Sequence, residues 1–157
     1  MDRAGPNLAL MFMAGFRCMA DAATAELSRH GHPDYRVVHA FAMRAIDSGA
    51  DSATELGRRL SVTKQAVAKT IATLEARGYI KRAEDLGDAR RKRLTITVKG
   101  RKVLDTGAAA LDSIRQRWAE QMGVSAFATF EGSLRLIVGA DAGPTETANW
   151  LSRANAQ

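Results

Sequence analysis

The hydrophobic period of this sequence changes after Gly78 and changes back after Val98. On either side of that stretch, apolar residues recur every three or four positions, as they do in amphipathic helices. Residues 93–98 instead alternate between polar and apolar, which is typical of a half-buried strand. Residues 79–84 are the expected partner strand, and the turn-rich segment between them ends in cations. The sequence therefore predicts a mainly α protein that contains one β-hairpin.

Two short helices are predicted before this hairpin, separated by a tight break at Ser61-Val62. The first follows Ser52, where Ser-Ala-Thr-Glu has the form of a capping box. In that motif the Ser52 hydroxyl and the Glu55 carboxylate each accept a hydrogen bond from a backbone amide. The second helix is expected to begin after Thr63 and to end at Gly78. Helix, tight break, helix and basic hairpin together predict a winged helix-turn-helix with a two-stranded wing.

Longer helices are predicted on both sides of this unit. Residues 8–29 carry an apolar stripe that stops at Gly31, and a further helix is expected to begin at Pro33. A long helix should follow Gly100, and Ser125 is expected to cap the last one. The helices outside the winged unit need partners for their apolar stripes.

The positive charge of the chain is concentrated in one segment. The 157 residues contain 23 Lys and Arg against 17 Asp and Glu, a net charge of +6. Residues 58–103 alone contain 14 cations and four anions, or +10, so the rest of the chain is net negative. Such a segment suits a polyanion, since each phosphate that Lys or Arg neutralises releases condensed counterions. A solvated cationic surface with no partner would show a more even spread.

The cysteine content and the N-terminal sequence bear on location. Cys18 is the single cysteine, which excludes an intramolecular disulfide framework and indicates a reducing compartment. No run approaches 18 uninterrupted apolar residues, so we expect no membrane partner. The apolar stretch 8–16 resembles the core of a signal peptide, but Asp2 offsets the charge of Arg3 and Arg17 follows immediately. These features favour a cytoplasmic protein.

The helix after Thr63 has the side chains that a helix in a major groove needs. Its predicted outer face is small or polar and contains no acid before Glu75. Gln65 suits a bidentate contact to adenine, Lys64 or Lys69 a guanine or phosphate, and Ala68 a thymine methyl group. Thr73 lies on the same face, and Arg58 on the preceding helix is expected to contact phosphate.

The sequence resembles the MarR family of bacterial transcription regulators, in detail from about residue 35 to Lys102. The resemblance rests on residues 53–60, 63–67 and 74–80 and on Asp88-x-Arg90, which is separated by five residues from Ile96-Thr97, with Lys99-Gly100 following. The family pattern has Leu where this chain has Ile96. The resemblance implies Arg90 in the minor groove, with Asp88 holding the hairpin tip. Arg91, Lys92 and Arg93 are expected to contact phosphates.

The resemblance also implies an arrangement for the whole chain. Residues 1–157 would form one domain, with 34–100 as the winged unit and 8–33 and 101–157 as dimerisation helices. Two winged units of a homodimer would face successive grooves of double-stranded DNA, with half-sites roughly 10 base pairs apart. The expected function is a sequence-specific, ligand-responsive regulator, with repression as the family default.

Members of the family often respond to a small aromatic or phenolic anion. The candidate residues for such a cleft are Phe12, Phe16, Arg17, Tyr35, His39, Met43 and Trp118. Ordinary core packing is the alternative for the aromatic residues and Met43. Some relatives sense peroxides through a cysteine in the first helix, so Cys18 is either a redox site or a small buried hydrophobe.

Other functions have less support in the sequence. A non-specific architectural binder of DNA or RNA would share the basic segment, but an aromatic content of 6% leaves little for stacking on single strands. No phosphate-binding glycine loop, His-Glu-x-x-His motif or nucleophile–base pair supports an enzyme or a cofactor. His30-x-His32 around Gly31 is a weak metal pattern, and no metal is expected.

Overall fold

The structure is a computed structural model that describes residues 3–84 and 92–139. These residues form helices and one two-stranded antiparallel sheet. The elements are α1 (Ala4–Arg29), α2 (Val37–Asp47), α3 (Ala53–Leu60), α4 (Lys64–Ala76), β1 (Ile80–Glu84), β2 (Lys92–Ile96), α5 (Val98–Met122) and α6 (Val124–Val138). This order of elements confirms the predicted mainly α, winged helix-turn-helix fold.

The first two helices begin at other residues than the sequence predicted. Helix α1 begins at Ala4 and includes Pro6 in its first turn. Proline is tolerated there because it lacks a backbone N–H, and an N–H group in the first turn has no helical acceptor in any case. Helix α2 begins at Val37 rather than at Pro33. The Tyr35 amide donates to the carbonyl oxygen of His32 (3.2 Å), so the residues after Gly31 form a turn before the helix.

The helix-turn-helix is held by local caps. The Ser52 hydroxyl accepts from the Glu55 amide (3.2 Å) at the start of α3, and the Thr63 hydroxyl accepts from the Ala66 amide (3.2 Å) at the start of α4. The break between them contains Ser61 in the left-handed region, with φ 49°. These caps confirm the predicted break and both predicted helix starts.

Helix α4 ends in a Schellman motif. Gly78 has φ 69°, and its amide donates to the Glu75 carbonyl oxygen while the Tyr79 amide donates to that of Leu74. Glycine adopts this left-handed backbone without strain. The motif turns the chain directly from α4 into β1, so the wing starts at a fixed point relative to the helix.

The two strands of the wing pair from Ile80 opposite Ile96 to Glu84 opposite Lys92. Strand β2 ends at Ile96, two residues before the alternating pattern ends, because Thr97 caps α5. The Gly100 amide donates to the Thr97 hydroxyl (3.0 Å), and the Arg101 amide donates to its carbonyl oxygen (2.9 Å). Helix α5 therefore begins at Val98, before Gly100, contrary to the prediction.

The described residues fall into two compact units. We call residues 3–35 and 105–129 the helical unit, and residues 36–84, 92–104 and 130–139 the winged unit. The core of the winged unit is apolar, with Leu56, Ile71, Leu74 and Tyr79 each at most 2% exposed. Burial of this core fixes the helix-turn-helix and the start of the wing.

Helix α1 is apolar along its N-terminal half. Exposed side chains there are Leu8, Leu10, Met11, Phe12, Met13 and Phe16. At 100° per residue these positions occupy all sides of the helix. By length and composition α1 would suffice to cross a membrane, a test that core helices of soluble proteins and signal sequences also pass.

Candidate nucleic-acid interface

Helix α4 presents one apolar and one polar side, as the sequence predicted. Val67, Ile71 and Leu74 are buried against the rest of the winged unit. The exposed side chains outside that apolar side include Lys64, Gln65, Ala68 and Lys69, which we call the recognition face. No hydrogen bond or ion pair joins Lys64, Gln65 or Lys69 side chains to other residues within 3–84 and 92–139. Their polar groups therefore point to solvent and can contact another molecule.

Thr73 differs from the rest of the predicted contact set. Its side chain is partly buried, and its hydroxyl donates to the Lys69 carbonyl oxygen (2.9 Å) one turn earlier in α4. The hydrogen of that hydroxyl is already used within the helix. Glu75, the first acid of α4, pairs with Arg82 of β1 (2.9 Å) and so ties the wing to the helix.

Arg58 forms an ion pair that the sequence did not predict. Its guanidinium donates twice to the Glu55 carboxylate, at 2.9 and 2.7 Å, and Arg59 donates to the same carboxylate at 2.7 Å. These hydrogen bonds, that of Arg58 first, lower the pKa of Glu55 to about 2, and Glu55 raises the pKa of Arg58. Arg58 remains 71% exposed, but its guanidinium already has a carboxylate partner, which it shares with Arg59, before any phosphate approaches.

The predicted capping box at the start of α3 is therefore half right. The Ser52 hydroxyl accepts from the Glu55 amide, but the Glu55 carboxylate is held by Arg58 and Arg59 instead of reaching back to the Ser52 amide. Two guanidinium donors are stronger partners for a carboxylate than one neutral amide. Arg59 also donates to the carbonyl oxygen and hydroxyl of Ser48 (3.0 and 3.1 Å), which ties α3 to the end of α2.

The structure describes two of the five predicted wing contacts. Lys92 is exposed at the start of β2, opposite Glu84. Arg93 is half-exposed, and its Nε lies 2.9 Å from the carboxylate of Asp51. The other three predicted residues, Asp88, Arg90 and Arg91, lie outside the described residues.

A joint at the start of α5 holds the end of α4, and sequence reasoning missed it. The Thr97 hydroxyl lies 2.6 Å from the Gly78 carbonyl oxygen and 3.1 Å from that of Tyr79. The Lys99 ammonium donates to the Arg77 carbonyl oxygen (2.8 Å) and lies 5.3 Å from the centre of the Tyr79 ring. A cation at the last carbonyl groups of a helix complements the helix dipole. The joint therefore fixes the direction in which α4 presents the recognition face.

The predicted effector residues are divided between the two units. Phe12, Phe16, Arg17, Tyr35 and Trp118 belong to the helical unit, and His39 and Met43 belong to the winged unit. Phe12 and Phe16 are 43% and 37% exposed, Arg17 is exposed and Trp118 is partly buried. Tyr35, His39 and Met43 are buried, as the core-packing alternative requires.

His39 has a structural role in the winged unit. The Arg36 amide donates to its Nδ1 (3.1 Å) at the start of α2, so the ring replaces a missing helical acceptor. Burial, and then the positive charges of Arg77 and Arg36, lower the pKa of His39. The ring is therefore neutral at pH 7, with its proton on Nε2.

Cys18 and the remaining histidines complete the predicted sites. Cys18 is exposed in the single chain, so the described residues do not bury it as a small hydrophobe. The Nδ1 of His30 lies 2.9 Å from the Glu26 carbonyl oxygen, at the end of α1. Within residues 3–84 and 92–139, no group of three His, Cys, Asp or Glu side chains has a metal-binding arrangement.

Comparison with known proteins supports this architecture. Residues 34–91 match the MarR family model. Comparison with curated proteins found no match. Regulator Tm0710 from Thermotoga maritima is a similar solved structure, with a TM-score of 0.64 at 21% identity over 85% of this chain and 94% of that chain.

Two other solved structures hold ligands. S. aureus MepR carrying F27L, bound to an oligodeoxyribonucleotide, matches with a TM-score of 0.61 at 18% identity over 83% of this chain and 95% of that one. CouR from Rhodococcus jostii RHA1, bound to p-coumaroyl-CoA, matches with a TM-score of 0.61 at 18% identity over 87% and 95%. At these identities the likeness concerns the fold.

Proposed function

We propose that this chain, whose residues 34–91 match the MarR family model, is a transcriptional regulator that binds double-stranded DNA sequence-specifically as a homodimer. The recognition face is the observation that carries the proposal. Lys64, Gln65 and Lys69 project from one side of α4 with no partner among the described residues, and no acid lies beside them. A helix in a major groove needs this combination of donors and small side chains.

Two further observations support DNA as the partner. Residues 58–103 carry a net charge of +10, which gives the segment that contains α4 and the wing the electrostatic character of a polyanion-binding surface. The S. aureus MepR structure of the same fold is bound to an oligodeoxyribonucleotide. We infer that the wing adds contacts through Lys92 and, from residues outside the described ranges, through Arg90 and Arg91, with Asp88 holding its tip.

The homodimer is proposed from the surface of α1. A helix that is apolar on all sides is stable in water only when other helices surround it. Phe12 is 43% and Leu10 63% exposed in the single chain, so a second copy is the natural cover. Within the predicted ranges 8–33 and 101–157, the described helices α1, α5 and α6 would supply the dimerisation surface. Light scattering at micromolar concentration should give the mass of two chains, and a monomer would contradict this assembly.

An effector of aromatic character fits the same proposal. MepR has been solved with ethidium bromide and CouR with p-coumaroyl-CoA, so this fold accommodates aromatic ligands in both proteins. Phe12, Phe16, Arg17 and Trp118 are the members of the predicted set that the single chain leaves exposed or only partly buried. A phenolic carboxylate that binds here should lower the affinity for DNA, as expected of a ligand-responsive repressor.

The exposed thiol of Cys18 supports a second candidate function, regulation by oxidation. Only an accessible cysteine can react with a peroxide. Treatment with hydrogen peroxide should then weaken DNA binding in the natural chain and leave the Cys18→Ser variant unaffected. Equal responses of the two proteins would exclude this role.

The central experiment is selection of bound duplexes from a random pool at two salt concentrations. We expect a two-fold symmetric consensus with half-sites about one helical turn apart. Absence of a consensus together with steep salt dependence would instead establish non-specific architectural binding. We also place the protein in the cytoplasm, and recovery of the intact chain in the membrane fraction of cells would contradict that location.

A further inference from the structure

Asp51, in the connection between α2 and α3, contacts strand β2 through both its backbone and its side chain. Its carbonyl oxygen accepts a hydrogen bond from the Leu94 amide (2.7 Å). Its carboxylate accepts from the Nε of Arg93 (2.9 Å), and the side chain of Asp51 is only 21% exposed. One residue outside the hairpin thus holds two consecutive residues of the wing.

The wing needs such support because two paired strands are marginally stable alone. Leu94 points its amide away from β1, toward Asp51, so this hydrogen bond lies on the outer edge of β2. An open cavity of about 440 Å³ lies next to this edge, lined by residues that include Asp47, Asp51, Arg93 and Arg101. Apolar side chains, among them Ile46 and Leu94, line the same cavity, so the polar contacts of Asp51 act beside apolar packing.

The ion pair with Asp51 also affects how Arg93 can interact with DNA. The Asp51 carboxylate offsets the charge of the Arg93 guanidinium, so a phosphate that approaches Arg93 meets a paired cation and not a free one. Lys92, the neighbouring cation, has no such partner among the described residues and is exposed. The two adjacent wing cations therefore have different surroundings, although the sequence suggested the same role for both.

We propose that Asp51 is a positioning residue for DNA binding, which fixes the base of the wing and withholds the Arg93 cation from phosphates, so that the winged unit discriminates its operator from other duplexes. This inference rests on the proposed function. Every duplex offers phosphates, so a cation released at the wing adds affinity for all sequences alike. A wing with a fixed base keeps the geometry that only the operator matches.

The test compares the full-length chain with Asp51→Asn, Arg93→Gln and the double variant. Each is titrated with the selected consensus duplex and with a random duplex at several salt concentrations. Asp51→Asn keeps the size of the side chain and the backbone bond to Leu94, and it removes the negative charge that pairs with Arg93. Asp112→Asn, an exposed position on α5 in the helical unit, is the control for the same change of charge.

We expect Asp51→Asn to bind the random duplex about threefold more tightly, with the slope of log K against log salt steeper by about 0.9, the value for one more phosphate contact. Its ratio of consensus to random affinity should fall about fivefold or more, while Asp112→Asn keeps the ratio of the natural chain. In the double variant the salt slope should return to that of the natural chain, because the Arg93 cation is absent. The ratio of consensus to random affinity should remain low. Arg93→Gln should likewise lower the ratio without changing the slope.

Three results would overturn the proposal. The first is an unchanged affinity ratio in Asp51→Asn. The second is a slope that is shallower by about 0.9 in Arg93→Gln, which would show that Arg93 already contacts phosphate. The third is an equal loss on both duplexes with a lower melting temperature, the sign of a purely structural role. Failure of the natural chain to select any consensus would instead refute the proposed function, and the slope of Arg93→Gln on random DNA would still report on Arg93.

Discussion

Gly100 in the first turn of α5 lies against the backbone of Tyr79 so closely that a Cβ at position 100 would overlap the Tyr79 carbonyl group. The Thr97 amide donates to that same carbonyl oxygen (3.0 Å), so the Tyr79 peptide is fixed by hydrogen bonding and has no freedom to move aside. Position 100 therefore requires glycine for close backbone approach, and the start of α5 can sit directly beneath the start of the wing.

Replacing Gly100 by Ala should destabilise the protein by about 1–3 kcal/mol, the usual effect of overpacking a rigid site. The control is Gly107→Ala in the same helix, whose new Cβ would lie 3.6 Å from Leu27, an ordinary contact. That control should be neutral or stabilising by up to about 1 kcal/mol, because Ala favours helix. Urea unfolding of the two variants measures the difference, and equal stabilities would contradict the close approach.

Thr97 should contribute more to stability than a threonine of the adjoining strand. Thr97→Val removes the hydroxyl that contacts Gly78 and caps α5, so we expect a loss of about 1–2 kcal/mol in the free energy of unfolding. Thr95→Val is the matched control, since its hydroxyl makes one long bond of 3.4 Å at an exposed position. Thr95→Val should change stability by less than about 0.5 kcal/mol.

The caps of the helix-turn-helix could be predicted because their signals are local. Ser52 and Thr63 bond to amides three residues away, and Gly78 adopts the left-handed backbone at the place where the helical period stops. Periodicity also identified the buried side of α4, because one element alone determines which residues share a face. The recognition face follows directly from that assignment.

The contacts that orient the wing could not be predicted, because they join residues that are distant in sequence. In the sequence Arg93 is one of several neighbouring cations, and only the fold brings Asp51 beside it. Thr97 continues the alternating pattern of β2, and its bond to Gly78 depends on where α4 ends. The role of Gly100 likewise requires the position of Tyr79, which a sequence pattern does not contain.

His39 should make the stability of the fold depend on pH. Its folded pKa lies below the ordinary value of 6.5, so the unfolded chain binds a proton more readily than the folded chain. The neutral ring thus contributes stability that is fully present above about pH 6.5 and is lost progressively as the pH falls toward the folded pKa. Protonation would also remove the Nδ1 acceptor of the Arg36 amide.

The His39→Gln variant separates this effect from other acid-sensitive groups. Glutamine does not titrate, and its amide oxygen can accept the Arg36 hydrogen bond. Thermal melts at pH 7.5 and pH 5.5 should show a smaller drop in melting temperature for the variant than for the natural chain. An equal drop in both proteins would mean that His39 does not sense pH over this range.

Gln65 and Lys69 should affect DNA binding in different ways, although they lie one turn apart on the recognition face. Gln65→Ala removes a neutral donor and acceptor, so it should weaken consensus binding by about 1–3 kcal/mol, with little change on random DNA or in the salt slope. Lys69→Ala removes a cation that has no ionic partner within residues 3–84 and 92–139, so it should weaken binding to all duplexes and lower the slope by about 0.9. Titration with both duplexes at three salt concentrations separates the two outcomes.

Arg58→Ala is the informative comparison for Lys69→Ala, because both remove one positive charge from the helix-turn-helix. Arg58 is paired with Glu55, whereas Lys69 has no ionic partner among the described residues, so removal of Arg58 should lower the slope by clearly less than removal of Lys69. Releasing Glu55 from one guanidinium leaves it bound to Arg59, which limits any new repulsion of the phosphates. A slope that falls equally in the two variants would show that DNA displaces Glu55 from Arg58 in the complex.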